Sequence, residues 1–250
     1  MRQVDALKEE RVENHSAKIR KRFDECSFRC GNLLASVLTS NGRWQQAETI
    51  LREVWLVAQL TLHESNQDVP QSISNVAKVL ERQGNWQEAE KMCRKNLQIC
   101  RGCFEKDHDY TLISKNELAS LFNQQGKWQE AEEMHREVLE ARRRVLGERD
   151  PDTLSSKNNL ASLFNQQGKW QEAEEMQREV LEVGRQVLGE RHPDTRNSKN
   201  NLANVLRKQG KWQEAEEMYR EVLQAGCQVL GESHPDTLSS KSNFADVFRK

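Results

Sequence analysis

The 250-residue chain is 36% hydrophobic and 31% charged, with four prolines. That is polar for one globule of this size and suits an array in which each unit packs only on its neighbours. A formal net charge of −1 excludes the concentrated positive charge that nucleic-acid backbones demand, and no apolar run approaches the ~20 residues of a membrane span.

The N-terminal stretch MRQVDALKEERVENHSAKIRKRF has no apolar centre of a secretion signal, so a cytoplasmic location is expected and the triplet Asn14-His15-Ser16 reads as accidental. Residues 1–25 read instead as a charged helix with apolar residues at Val4, Val12, Ile19 and Phe23, a degenerate leading cap. From residue 26 to 250 the chain is repetitive. Trp44, Trp86, Trp128, Trp170 and Trp212 fall 42 residues apart without insertion, the mark of a solenoid or array. The phrase QGKWQEAEEM stands at Gln125–Met134, Gln167–Met176 and Gln209–Met218, with looser copies from Gln83 and Asn41. Ala119–Met134 and Ala161–Met176 are identical. The repeats are expected at about 26–68, 69–110, 111–152, 153–194 and 195–236, with a truncated unit at 237–250.

Each repeat predicts two helices. In the fourth, the first helix runs from about Thr153 to Gln167, with Leu160, Ala161, Leu163 and Phe164 on one arc and Ser155, Asn158, Ser162 and Asn165 on the other. Gly168 ends it. The second helix starts near Trp170, and its spacing gives a stripe of Ala173, Met176, Val180, Val183 and Val187. It is expected to stop at Gly189. Pro193 then prevents continuation, and Asp194 or Thr195 caps the next helix. The turn recurs as GERDPDT, GERHPDT and GESHPDT. Gly184 and Gly226 share a mid-helix frame position with Ala58 and Cys100, which suggests close helix packing, although Arg142 breaks the pattern.

The order NNLA, QGKW, EAE and LGExHPDT, best seen in Lys157–Ser162 and Gly168–Ala173, resembles the 42-residue tetratricopeptide repeat of the kinesin light chain type. It is similar also to nephrocystin-3-like arrays and to those of fungal STAND receptors. The resemblance covers about 26–250 and implies an all-α fold, a right-handed superhelical solenoid of tetratricopeptide-type helical hairpins. It departs from the shorter generic unit, which has a large aromatic where this chain puts Lys115, Lys157, Lys199 and Lys241. Residues 1–25 are too short and lack the heptads of a heavy-chain-binding coiled coil, and no GxxxxGK[ST] phosphate loop is present.

The repeated tryptophans read as packing at each inter-helix corner. His108, His192 and His234 share one turn position with Asp150, which argues against catalysis. His135 stands where other repeats have Leu51, Cys93, Gln177 and Tyr219, and so reads as a variable, at least partly exposed site. The six cysteines, at 26, 30, 93, 100, 103 and 227, read as small buried hydrophobes, with a metal or redox site as the competing reading. Arg142-Arg143-Arg144 reads as a solvated cluster matched to a helix dipole.

The polar arc is different, because asparagine recurs there at 32, 116, 158 and 200 without being required by a core. In the resembling family the first helices line a concave groove whose asparagines hold an extended peptide. Asn116, Asn158, Ser162, Asn165, Asn200, Asn204, Arg207 and Lys208 are therefore the expected peptide-binding residues, against the alternative that the Asn158 series bonds between repeats as Asn159 is expected to do. The basic end at Arg207, Lys208, Arg249 and Lys250 favours acidic ligand side chains. The expectation is a non-catalytic adaptor for a protein or peptide, without cofactor, metal, nucleic acid or membrane. The alternative is a regulatory array detached from a STAND-type signalling NTPase. The final unpaired helix, with Phe244, Val247 and Phe248 uncovered, is expected either to self-associate or to belong to a longer array of which this chain is a fragment.

Overall fold

The computed structural model describes residues 25–63 and 66–245. The proposed leading cap therefore lies outside the described residues except for Glu25, as do Val247, Phe248, Arg249 and Lys250. Among the described residues there are eleven helices and no strand, and the chain divides between Gln125 and Gly126 into two compact units.

The first unit holds α1 (Glu25–Ser40), α2 (Trp44–Thr61), α3 (Asp68–Arg82), α4 (Trp86–Cys103) and α5 (Asp109–Gln124). Each helix packs on its successor, and α3 also reaches α5. The second unit holds α6 (Trp128–Leu146), α7 (Pro151–Gln166), α8 (Trp170–Val187), α9 (Pro193–Lys208), α10 (Trp212–Leu230) and α11 (Pro235–Ala245). It follows the same rule, with α7 also touching α9. This is the all-α, hairpin-by-hairpin architecture expected from the sequence.

The hairpin of α7 and α8 shows how the sequence makes it. Leu160, Ala161, Leu163 and Phe164 are buried, while Ser155 and Ser162 are exposed and Asn158 and Asn165 half-buried, as the periodicity predicts. Gly168 turns the corner at φ +78°, where a side chain would strain the backbone, and Lys169 N–H closes back to the Phe164 carbonyl at 2.9 Å. The helix starts differ from expectation. Asp150 accepts from Asp152 N–H at 2.9 Å and His192 Nδ1 from Asp194 N–H at 3.2 Å, so the cap stands two residues before the expected Asp194. Pro151 and Pro193 are the first helical residues, a position where the missing N–H costs no hydrogen bond.

The buried stripe of α8 is also rotated from the one expected. Ala173, Gln177, Val180, Leu181 and Gly184 are buried, Met176 and Val183 only partly, and Val187 is exposed. The cause is that α8 is sandwiched between α7 and α9, so its buried arc faces both. The expectation for His135 is corrected too. It is 2% exposed, as Gln177 and Tyr219 are fully buried one and two repeats later. Tyr219 joins Leu181, Leu202, Ala203, Leu206 and Ala215 in one core cluster.

At the start of the first unit the pattern is left open. Leu34 and Val37 on α1 are 52% and 55% exposed, whereas their frame equivalents Val76/Val79, Leu118/Leu121, Leu160/Leu163 and Leu202/Val205 are at most 3% exposed.

Candidate protein-interaction face

Most of the recurrent charged residues bind one repeat to the next. Glu132 Oε2 accepts from Lys169 Nζ at 2.9 Å, and Glu174 Oε2 from Lys211 Nζ at 2.7 Å. Each carboxylate also takes an arginine one turn on, Arg136 or Arg178. Arg178 continues to Glu214 at 2.9 Å. Burial alone would raise the Glu174 carboxyl. Hydrogen bonds from Lys211, Arg178 and Gln209 outweigh it and hold that group below the ordinary carboxylate value, and Lys169, Arg136 and Gln167 do the same against burial for Glu132. The lysine and second glutamate of QGKWQEAE are therefore the two halves of one inter-repeat rung.

Of the lysines that stand where the generic unit has an aromatic, Lys115, Lys157 and Lys199 are buried and Lys241 is half-buried. Lys157 donates to Glu179 and lies near Glu148, while Lys199 meets Glu190 at 2.5 Å and Glu221 at 2.7 Å. Lys199, with Arg185, holds the Glu190 carboxyl below its ordinary value. The glutamate of the LGE turn thus exists to pair with a lysine in the following first helix, a role the sequence pattern did not reveal.

The candidate peptide-binding residues fall in both units. Asn116 is half-buried on α5 of the first, and the other seven lie on α7 and α9 of the second. Their side chains are partly committed. Asn158 Nδ2 donates to Ser198 Oγ at 3.1 Å, Asn200 Oδ1 accepts from Asn243 at 3.2 Å, and Asn204 Oδ1 accepts from Tyr219 Oη at 2.5 Å. In the first unit Asn32 accepts from Asn75 at 2.8 Å, and Ser74 donates to Glu117 at 2.6 Å. The Asn158 frame position therefore does bond between repeats. It keeps spare capacity too, since Asn158 Oδ1, Asn165 Oδ1 and Arg207 Nε are buried atoms without a hydrogen-bond partner. Ser162 and Lys208 are exposed beside them.

Other expected residues are placed as follows. The five framing tryptophans are 39–48% exposed, so each is only partly packed at its corner. Arg142 is not a solvated residue. It is buried, with Nη1 donating to the Asp152 carbonyl and to Ser156 Oγ, both at 2.9 Å. Arg143 pairs with Glu140 and Glu148, and Arg144 is exposed. Cys93 and Cys100 are buried free thiols, pushed up by burial to about 12 and about 11. No group of three metal-binding side chains, and no helix long and apolar enough to cross a membrane, is found among the described residues.

Tandem helical hairpins, keyed within the second unit by the two lysine–glutamate rungs and each presenting the polar side of its first helix, define a helical-repeat protein. Tetratricopeptide repeat models match residues 68–144, 113–183, 152–228 and 194–250, and a second such model matches 29–65. The chain belongs to the tetratricopeptide repeat family.

Among solved structures it is similar to a Podosopora anserina protein assigned as a kinesin light chain with nearly identical TPR-like repeats. Identity is 27% and the TM-score 0.64, over 81% of this chain and 96% of that one. A single-substitution variant of that protein matches at 27% identity and TM-score 0.65, over 80% and 94%. BtubC (BKLC) from P. vanneervenii shares the fold at 23% identity and TM-score 0.67, over 90% and 91%. No curated protein matches the sequence. Tetratricopeptide arrays are generally non-catalytic, and this chain is a repeat scaffold of the kind used for protein–protein interaction.

Proposed function

We propose that the chain is a cytoplasmic, non-catalytic adaptor that holds an extended peptide along the polar face of its first helices, in the manner of kinesin light chain arrays. The observation that carries this reading is the pair of buried amide oxygens, Asn158 Oδ1 and Asn165 Oδ1, that have no partner on α7. An amide side chain offers both donor and acceptor and pairs with peptide backbone without reading its sequence. An acceptor left unpaired in the free protein gains by meeting a ligand N–H. Arg207 and Lys208 at the end of α9 add positive charge, which favours acidic ligand side chains there and contributes to encounter rate more than to raw affinity.

Selection from a random peptide library against the full chain tests this. Enriched peptides are expected to carry acidic residues. They should bind Asn165→Ala more weakly by about 1–3 kcal/mol and lose more affinity to Arg207→Glu/Lys208→Glu at low salt than at high salt. Enriched peptides indifferent to both variants would place the binding surface elsewhere.

A further inference from the structure

The frame position of Gly184 is filled in the preceding second helix by Arg142. There the guanidinium reaches two acceptors at the start of α7, the Asp152 carbonyl and Ser156 Oγ, and Ser156 Oγ itself donates to the same carbonyl at 3.0 Å. One repeat later the acceptors recur. Ser198 Oγ donates to the Asp194 carbonyl at 2.9 Å in the matching place on α9. The arginine does not recur. At Gly184 a cavity of about 320 Å³ opens among α7, α8 and α9, and a Cβ built there would meet only Thr195 Oγ1, at 3.6 Å.

The lining of this cavity has the chemistry of an arginine pocket. Leu154, Val180 and Leu188 offer apolar surface for a methylene stem, and the carboxylates of Asp152 and Asp194 supply negative charge. Asp194 has His192 Nδ1 at 3.7 Å as its neighbour. Asn158 lines the cavity as well. Its Nδ2 is occupied by Ser198 Oγ, but its buried Oδ1 accepts nothing, so a donor entering the cavity would satisfy it. Pockets that take small groups typically begin near 300 Å³ and combine apolar walls with a few placed polar atoms.

We propose that this cavity is a guanidinium subsite that receives an arginine side chain of a bound peptide, using the Asp194 carbonyl, the counterpart of the Asp152 carbonyl that Arg142 engages one repeat earlier, together with Asn158 Oδ1. A planar guanidinium has five N–H donors in a fixed fork. It can therefore serve the Asp194 carbonyl and Asn158 Oδ1 together while the two carboxylates offset its charge. A lysine ammonium is a compact point charge and matches this spread of acceptors less well. The subsite deepens the peptide-binding reading of the same face, and a small-molecule probe keeps the two separable, because it needs no extended ligand.

The experiment titrates N-acetyl-L-arginine amide into the ¹⁵N-labelled full chain. Saturable shifts are expected at Ser155, Asn158, Gly184 and Ser198. The citrulline counterpart, equal in shape but uncharged, should bind at least tenfold more weakly, and the lysine counterpart should also be weaker. Gly184→Arg should fill the site from within, as Arg142 does, and abolish the shifts while circular dichroism and cooperative unfolding are retained. If that variant does not fold, Asn158→Leu, which removes the unpaired acceptor, decides the matter through an expected tenfold loss. Shifts absent from these residues in the wild type overturn the proposal. So do citrulline binding as tight as arginine, a folded Gly184→Arg that still binds, and wild-type affinity in Asn158→Leu.

Discussion

His135 gives a quantitative test of how the repeats bury polar side chains. Burial lowers its pKa from 6.5 to about 4, so the folded protein holds the imidazole neutral while the unfolded chain protonates it near 6.5. The stabilisation is therefore present above pH 6.5 and is lost as pH falls toward 4, below which both states carry the proton. The full difference is about 3 kcal/mol, and about 2 kcal/mol of it should already be lost between pH 7 and pH 5. Glu132 and Glu174, held below their ordinary values, lose their contributions only at lower pH. Glu81, raised by burial and by the nearby Glu117, is common to the wild type and His135→Leu, so the difference between them isolates the histidine. Urea unfolding at pH 7 and pH 5, with amide exchange of α6 as the local readout, should show this loss in the wild type. It should be absent in His135→Leu, which carries the residue found at Leu51 in the same frame position. Parallel pH slopes for the two proteins would refute the reasoning.

Other predictions rest on different features. Gly184→Ala should stabilise by up to about 1 kcal/mol, the helix-propensity difference, because its Cβ makes only an ordinary contact. Gly226→Ala should gain less, since its Cβ would lie 3.3 Å from Thr237 Oγ1; thermal denaturation compares the two. Glu174→Gln should cost roughly 1–3 kcal/mol in urea, since a buried charged acceptor is lost to Lys211 and Arg178, whereas Glu214→Gln at an exposed position should cost about 0–1 kcal/mol. Native-state thiol labelling should be fast at the exposed Cys30 and slow at Cys93 and Cys100, and comparable rates at all three would contradict their burial.

The fold was legible because Trp recurs at one spacing and glycine recurs at one corner, and both are set by local backbone and packing requirements. The polar arc of α7 was legible for the same reason, since Ser155, Asn158, Ser162 and Asn165 alternate with the buried apolar Leu160, Ala161, Leu163 and Phe164. What escaped were contacts across repeats. Lys169 and Glu132 stand 37 residues apart, beyond the reach of any periodicity within a helix. Their joint presence in each full QGKWQEAE phrase was the available signal. Variability at the His135 frame position does not signify exposure, because leucine, cysteine, histidine, glutamine and tyrosine are all buried there. Buried Arg142 was misread because three adjacent arginines look alike in sequence, while only its side chain meets the Asp152 carbonyl.

The rungs have an evolutionary consequence. Since the lysine and the glutamate that pair are carried by the same phrase, the copy at Gln167–Met176 presents Lys169 to the repeat before it and Glu174 to the repeat after it. A copied repeat inserted anywhere among its kin arrives with both halves in place and requires no compensating change in either neighbour. Unequal recombination can thus lengthen or shorten such a chain one 42-residue step at a time without passing through an unstable intermediate. The identical stretches Ala119–Met134 and Ala161–Met176 are what one such step leaves behind. In a gene of this kind the number of repeats, and with it the length of surface offered to a partner, can change faster than the surface of any single repeat.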